Sequence, residues 1–186
     1  MSTVSSSAFD LRLMAPVEGL RVRLRHWHAG DLPLIASASE DRYVPLITTV
    51  PEQYTPAEGE AWLARQERQF RNRTGCPLAI ALPDDDRAAG FAGINGISWA
   101  HRRASIGFWI GRAHRGVGLA SDAVSLLPEM ARRMRLIRLE ALVEPDNPAS
   151  LHICRKAGFT DEGLLRGYQR IGDRQRDMLI LSMILT

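Results

Sequence analysis

The chain has 186 residues, 45% hydrophobic and 24% charged, the make-up of one ordinary globular domain long enough to bury its own core. A net charge of +3 is too small to argue for nucleic acid and at most favours a small anionic ligand. Cys76 and Cys154 form no CxxC pair, and no carboxylate or cysteine repeats near His26 and His28 at metal-ligand spacing, so neither a disulfide framework nor a metal site is expected.

The N-terminal "MSTVSSSAFD" lacks the basic start and apolar run of a signal peptide, and residues 1–18 read as a ragged lead-in to a single domain over 19–186. "LRVRLRHW", Leu20 to Trp27, alternates as a half-buried strand, with Val22, Leu24 and His26 on one face and Arg21, Arg23 and Arg25 on the other. A short helix is expected from Ala29 to Ala38. A longer one opens at Thr55 as cap, Pro56 at the first helical position and Glu58 completing a capping box, with Trp62, Leu63, Gln66 and Phe70 at helical spacing.

Three strands follow, Pro77–Leu82, Ala89–Trp99 and Ala104–Ile110, and then a helix from about Gly118 to Met134 that Pro128 should bend or break. Leu136–Val143 is a strand with Ile137, Leu139, Ala141 and Val143 on one face. "PDNPASLHICRKAGF" is a helix with Asn147 as cap, Pro148 first and Gly158 as stop. Two strands near Gly163–Arg170 and Gln175–Leu185 close the chain around "IGDR". Consecutive hairpins with helices around them make an α+β fold, a sheet of mixed direction flanked by helices. The longest apolar run, the nine residues "MLILSMILT", is too short to span a bilayer, so a cytoplasmic protein is expected.

"RGVGLASDAV", Arg115 to Val124, places two glycines between a strand and a helix. Glycines there let an anion approach the free N–H groups of the helix start; a plain tight turn is the competing explanation. "GVGLAS" half-matches a dinucleotide fingerprint, with Glu140 lying 22 residues after Gly118. That fingerprint belongs in the first βαβ unit of a doubly wound sheet, whereas about 100 residues precede it here and one strand–helix pair follows. A nucleotide-dependent oxidoreductase is therefore the weaker alternative.

At this point the sequence resembles the GNAT N-acetyltransferase superfamily. "RGVGLA" is similar to its R/Q-x-x-G-x-G/A signature at Arg115, Gly118 and Ala120, and "EPDNPASLHICRKAGF" to its N-x-x-(A/S)…K-x-G-F segment at Asn147, Ser150, Lys156, Gly158 and Phe159. "IGFWIG", "LRVRLRHW" and the C-terminal segment resemble the RimJ/RimL-type branch. The resemblance implies a splayed mixed sheet of about seven strands. Acetyl-CoA would enter between Ala104–Ile110 and Leu136–Val143. Its pyrophosphate would sit on the N–H groups of Arg115, Gly116, Val117, Gly118, Leu119 and Ala120. Its pantetheine arm would pair with the backbone near Trp109, Ile110 and Gly111 and bond Asn147. No metal is implied.

The implied reaction is direct attack of a primary amine on the thioester, with a donor needed for the leaving thiolate. Many members of the superfamily carry a donor Tyr where this chain has Cys154. The branch suggests Ser150 instead, against the alternative of a Ser bonding its own helix turn. The branch often has Glu where this chain has Ser105. Glu140, Glu144, Asp146, Glu40 and Asp41 are acidic candidates that spacing does not separate, and Asp177 matches an often acidic position. An α-amine near pKa 7.8 is easier to deprotonate than a Lys near 10.4 by about 2.6 units, about 3.5 kcal/mol, which favours a protein N-terminal α-amine or a low-pKa small amine. A succinyl or other acyl donor, a homodimer and a non-catalytic CoA-binding module all remain open.

Overall fold

A computed structural model describes residues 10–185. In chain order the elements are β1 (Val17–Glu18), β2 (Arg23–Arg25), α1 (Leu32–Ser39), α2 (Val44–Ile47), α3 (Pro56–Arg71), β3 (Gly75–Ala81), β4 (Ala88–Ser98) and β5 (Arg103–Ile110). Then come α4 (Leu119–Arg133), β6 (Arg138–Val143), α5 (Pro148–Lys156), β7 (Thr160–Ile171) and β8 (Arg174–Ile184). The strands form one eight-stranded sheet in the order β1-β2-β3-β4-β5-β6-β8-β7. Every neighbouring pair is antiparallel except β5 and β6.

Residues 1–9 of the expected lead-in lie outside the described residues. Its remainder is ordered: Asp10 caps a 3-10 turn, Leu11–Met14, that buries Leu11 and Met14 in the core. The strand expected over Leu20–Trp27 pairs only at Arg23–Arg25, because the Arg21 and Val22 N–H groups donate instead to the Asp122 carboxylate at 2.6 and 3.2 Å. Arg25 is not a solvent-facing residue as the alternation predicted. It is buried, and its guanidinium forks onto the buried Asp31 carboxylate at 2.8 and 2.9 Å.

In α3, Thr55 Oγ1 accepts the Glu58 N–H at 3.1 Å as expected, without the reciprocal bond of a full capping box. Pro128 does not break α4, which runs through it for 15 residues. The lost bond and clash cost about 3 kcal/mol. Leu127 and Val124, fully buried on the same helix, each return about 1.5–3 kcal/mol. Ile137 is exposed and not on the inward face of β6: its N–H donates to the Arg102 carbonyl at 2.7 Å, and the strand begins one residue later.

The larger core packs α4 and α5 on the sheet, for instance Val124, Leu127 and Met130 with Ile94, Leu139 and Leu181. A smaller cluster seats α1–α3 on β5, with Ile35, Val44 and Trp62 around Trp109. No helix of the described residues is long and apolar enough to cross a membrane.

Candidate active site

The parallel ladder between β5 and β6 is short. It joins Arg103 to Arg138, Ala104 to Leu139 and Ser105 to Glu140, and then stops. Beyond it the two strands part, and Ile106–Ile110 keeps a ladder only toward β4. A cavity of about 330 Å³ opens at the split, lined by Ser105–Trp109 of β5, by Ala141–Glu144, by Asn147 and Ser150, and by the segment after α1.

At the outer end of the split the chain turns into α4. Gly116 and Gly118 have φ of +82° and +87°, in the left-handed region that an L side chain rarely adopts. No side chain caps α4, so the N–H groups of its first turn stay free and the positive end of its dipole faces outward. Leu119 is buried and anchors the turn, while Val117 is exposed. Asp122 sits in the first turn, but its carboxylate is spent on Arg21 and Val22. The turn is thus a backbone cradle able to take an anion.

The Arg115 side chain points elsewhere. Its Nε–H donates to the Ile110 carbonyl at 2.9 Å and its Nη2–H to Asp41 at 2.6 Å. Burial pushes the Asp41 carboxyl up. The N–H groups of Tyr43 and Val44, with the Arg115 guanidinium, outweigh this and hold it below the usual carboxylate range. Trp109 and Ile110 are buried at the end of β5. The Gly111 N–H is committed to the Ala89 carbonyl at 2.8 Å, so it cannot pair with an incoming strand-like arm.

Asn147 caps α5, its Oδ1 accepting the Ser150 N–H at 3.1 Å, and both residues line the cavity. The Ser150 hydroxyl has no hydrogen-bond partner among the described residues. Cys154 is fully buried and burial pushes its thiol up to about 11, which makes it a packing residue. Of the four tryptophans, Trp62 and Trp109 line the cavity. Trp27 packs edge-on against Trp62 at 4.8 Å, and Trp99 bonds the Arg73 carbonyl.

The structure separates the acidic candidates. Glu140 is held by Arg103 and Arg138 at 3.1 and 2.7 Å, and Asp177 accepts the Gly167 N–H at 2.7 Å. Glu40 is exposed, and Asp146 pairs with Arg176 outside the cavity. Glu144 alone lines the cavity, and it accepts the hydroxyl of Tyr43. Tyr43 had no sequence signal, because its partner lies about a hundred residues away in the chain. No group of three or more His, Cys, Asp or Glu able to hold a metal ion occurs among the described residues.

Residues 21–160 match the family model described as the acetyltransferase (GNAT) domain. A Bacillus licheniformis protein named uncharacterized N-acetyltransferase p20 is 36% identical over 108 residues, 58% of this chain and 61% of that protein. A Bacillus subtilis relative, also named an N-acetyltransferase, is 34% identical over 109 residues, 58% of this chain and 60% of its own length. The chain therefore spans about three fifths of these curated relatives. The ribosomal-protein-serine acetyltransferase of Escherichia coli is 25% identical over 134 residues, 72% of this chain and 75% of that protein. Among solved structures, Mycobacterium smegmatis RimJ in complex with CoA-disulfide superposes with a TM-score of 0.80 at 25% identity, covering 91% of this chain and 87% of that one.

Proposed function

We propose that this chain, which belongs to the GNAT acetyltransferase family, moves an acetyl group from acetyl-CoA to a primary amine by direct attack in a ternary complex. One observation carries the reading. The sheet splits after Ser105 and Glu140 between an uncapped, glycine-led helix start and a cavity that holds Asn147 and Ser150. A long anionic thioester fits that layout: backbone donors for its pyrophosphate at one end, a pocket for its acyl group at the other.

In this reading the N–H groups of Gly116 to Ala120 hold the pyrophosphate, and the freed edge of β5 near Trp109 and Ile110 guides the pantetheine arm. Asn147 steadies the arm with its amide nitrogen, since its Oδ1 is used by the helix cap. The amine attacks the carbonyl carbon, and the Ser150 hydroxyl, free of other partners, stabilises the leaving thiolate. A protein N-terminal α-amine or a small amine of low pKa suits the pocket, where each proton to be removed costs about 1.4 kcal/mol per pKa unit.

Thiol release from acetyl-CoA across N-terminal peptides, amino acids, polyamines and aminoglycosides tests the proposal. Release with α-amines is expected. Acetyl-CoA binding with no release on any amine would contradict it and leave a CoA-binding module.

A further inference from the structure

Glu144 is the single side chain with a formal charge among the residues lining the cavity, and it is 5% exposed. Its Oε1 accepts the Arg176 Nε–H at 2.6 Å and its Oε2 accepts the Tyr43 hydroxyl. Arg176 also donates to Asp146. Two carboxylates thus share one guanidinium, and the cluster carries one negative charge in excess. An ammonium entering this cavity meets the Glu144 carboxylate, paired with Arg176 and fronted by the oxygen of Tyr43.

We propose that Tyr43 and Glu144 form the pair that takes the proton from the acceptor ammonium, an inference that rests on the acetyltransferase reading above. One N–H bond of the ammonium breaks as Tyr43 Oη gains that proton. The proton Tyr43 held passes to Glu144 Oε2. Tyr43 ends neutral, as it began, and Glu144 ends as the acid. Arg176 keeps Asp146 as its counter-ion, so proton uptake leaves no unpaired guanidinium. The neutral amine then forms its bond to the thioester carbon, the C–S bond breaks, and the thiolate takes a remaining proton from the nitrogen.

The groups around Tyr43 fit this relay. Asp41 and Arg115 flank it from its own segment and from the cradle, Glu144 and Asp146 from the end of β6, Asn147 from the cap of α5, and Arg176 from β8. Burial, together with the neighbouring Glu144, raises the phenol well above its ordinary value, so Tyr43 stays protonated and passes protons without becoming a phenolate.

Tyr43→Phe and Glu144→Gln test it, each read as kcat and KM over pH 6 to 9.5 with two amines of similar shape, one of ordinary and one of low pKa. Both variants are expected to lose about 100-fold in kcat at pH 7 with the ordinary amine. The acetyl-CoA KM should hardly move. The loss should shrink as pH nears the amine's own pKa, nearly vanish with the low-pKa amine, and be no greater in the double variant. A loss equal at every pH and for both amines, or no loss, overturns the proposal and leaves Tyr43 a structural clasp. Wild-type protein that binds no acetyl-CoA and releases no thiol overturns the transferase reading itself, and this pair with it.

Discussion

Gly116 and Gly118 show what the cradle demands at single residues. A Cβ built on either meets nothing within 4 Å, so space is not the constraint. The constraint is the left-handed backbone, which costs an L residue about 1–2 kcal/mol; the proposed function adds a clear approach for an anion. Gly118→Ala should therefore lower stability by about that amount and bind acetyl-CoA weakly but measurably. Gly118→Asp adds a charge facing the pyrophosphate and should abolish binding in a calorimetric titration. Equal affinity of Asp and Ala variants would mean that no anion sits there. Ser150→Ala should lower kcat at least tenfold while leaving the acetyl-CoA KM within about twofold, a split that steady-state kinetics reads directly. The positions of Gly118, Asn147 and Ser150 were legible in the sequence because each owes its place to its own few neighbours: a turn, a cap, a first helical turn; the roles proposed for Asn147 and Ser150 come from the resemblance. Tyr43 and Glu144 were not legible as a pair. Neither has a local spacing partner, and only the folded sheet brings them together.

The elements nearest the site are tied together by side chains reaching out of regular structure. Asp122 in α4 holds the entry to β2, which is why the alternating "LRVRLRHW" yields only a three-residue strand. Asp41, ahead of α2, caps that helix through Tyr43 and Val44 and clasps Arg115 at the cradle. Its folded pKa lies below its unfolded value. The stability it adds is therefore complete above about pH 4 and is lost as pH falls through the folded value. Glu162, held to about 2 by the Arg138 guanidinium and the Ser182 hydroxyl, extends the same loss downward. Melting curves should be flat from pH 7 to about 5 and fall steadily from about 4 to 2. Arg115→Met should make that fall shallower, and an unchanged acid profile would show that the clasp adds nothing. Asn147→Ala should cost about 1 kcal/mol through the lost cap and weaken acetyl-CoA as well; a stability loss without weaker binding would confine Asn147 to α5.

For the molecule as a whole, the strand and helix order was readable from periodicity and turn residues, except for the two-residue β1 and the four-residue α2, both too short to carry a period. The split between β5 and β6 was implied by resemblance alone; no residue announces where a parallel ladder ends. That split gives the cavity its character, largely apolar and amide-lined with one carboxylate already engaged. A polyamine would bring a second ammonium with no anion to meet it, so spermidine should show kcat/KM at least about tenfold below an α-amine peptide, a gap of about 1.4 kcal/mol. Equal or better turnover of spermidine would show that its second charge is met outside this cavity. Thermal unfolding with acetyl-CoA and with NADH shows whether the split sheet and its glycine-led helix start hold an acyl-CoA. At about 100 times its Kd, acetyl-CoA should add about 2.7 kcal/mol and raise Tm by about 5–10 °C, with no shift from NADH. A shift with NADH and none with acetyl-CoA would mean that no acyl-CoA binds in the split.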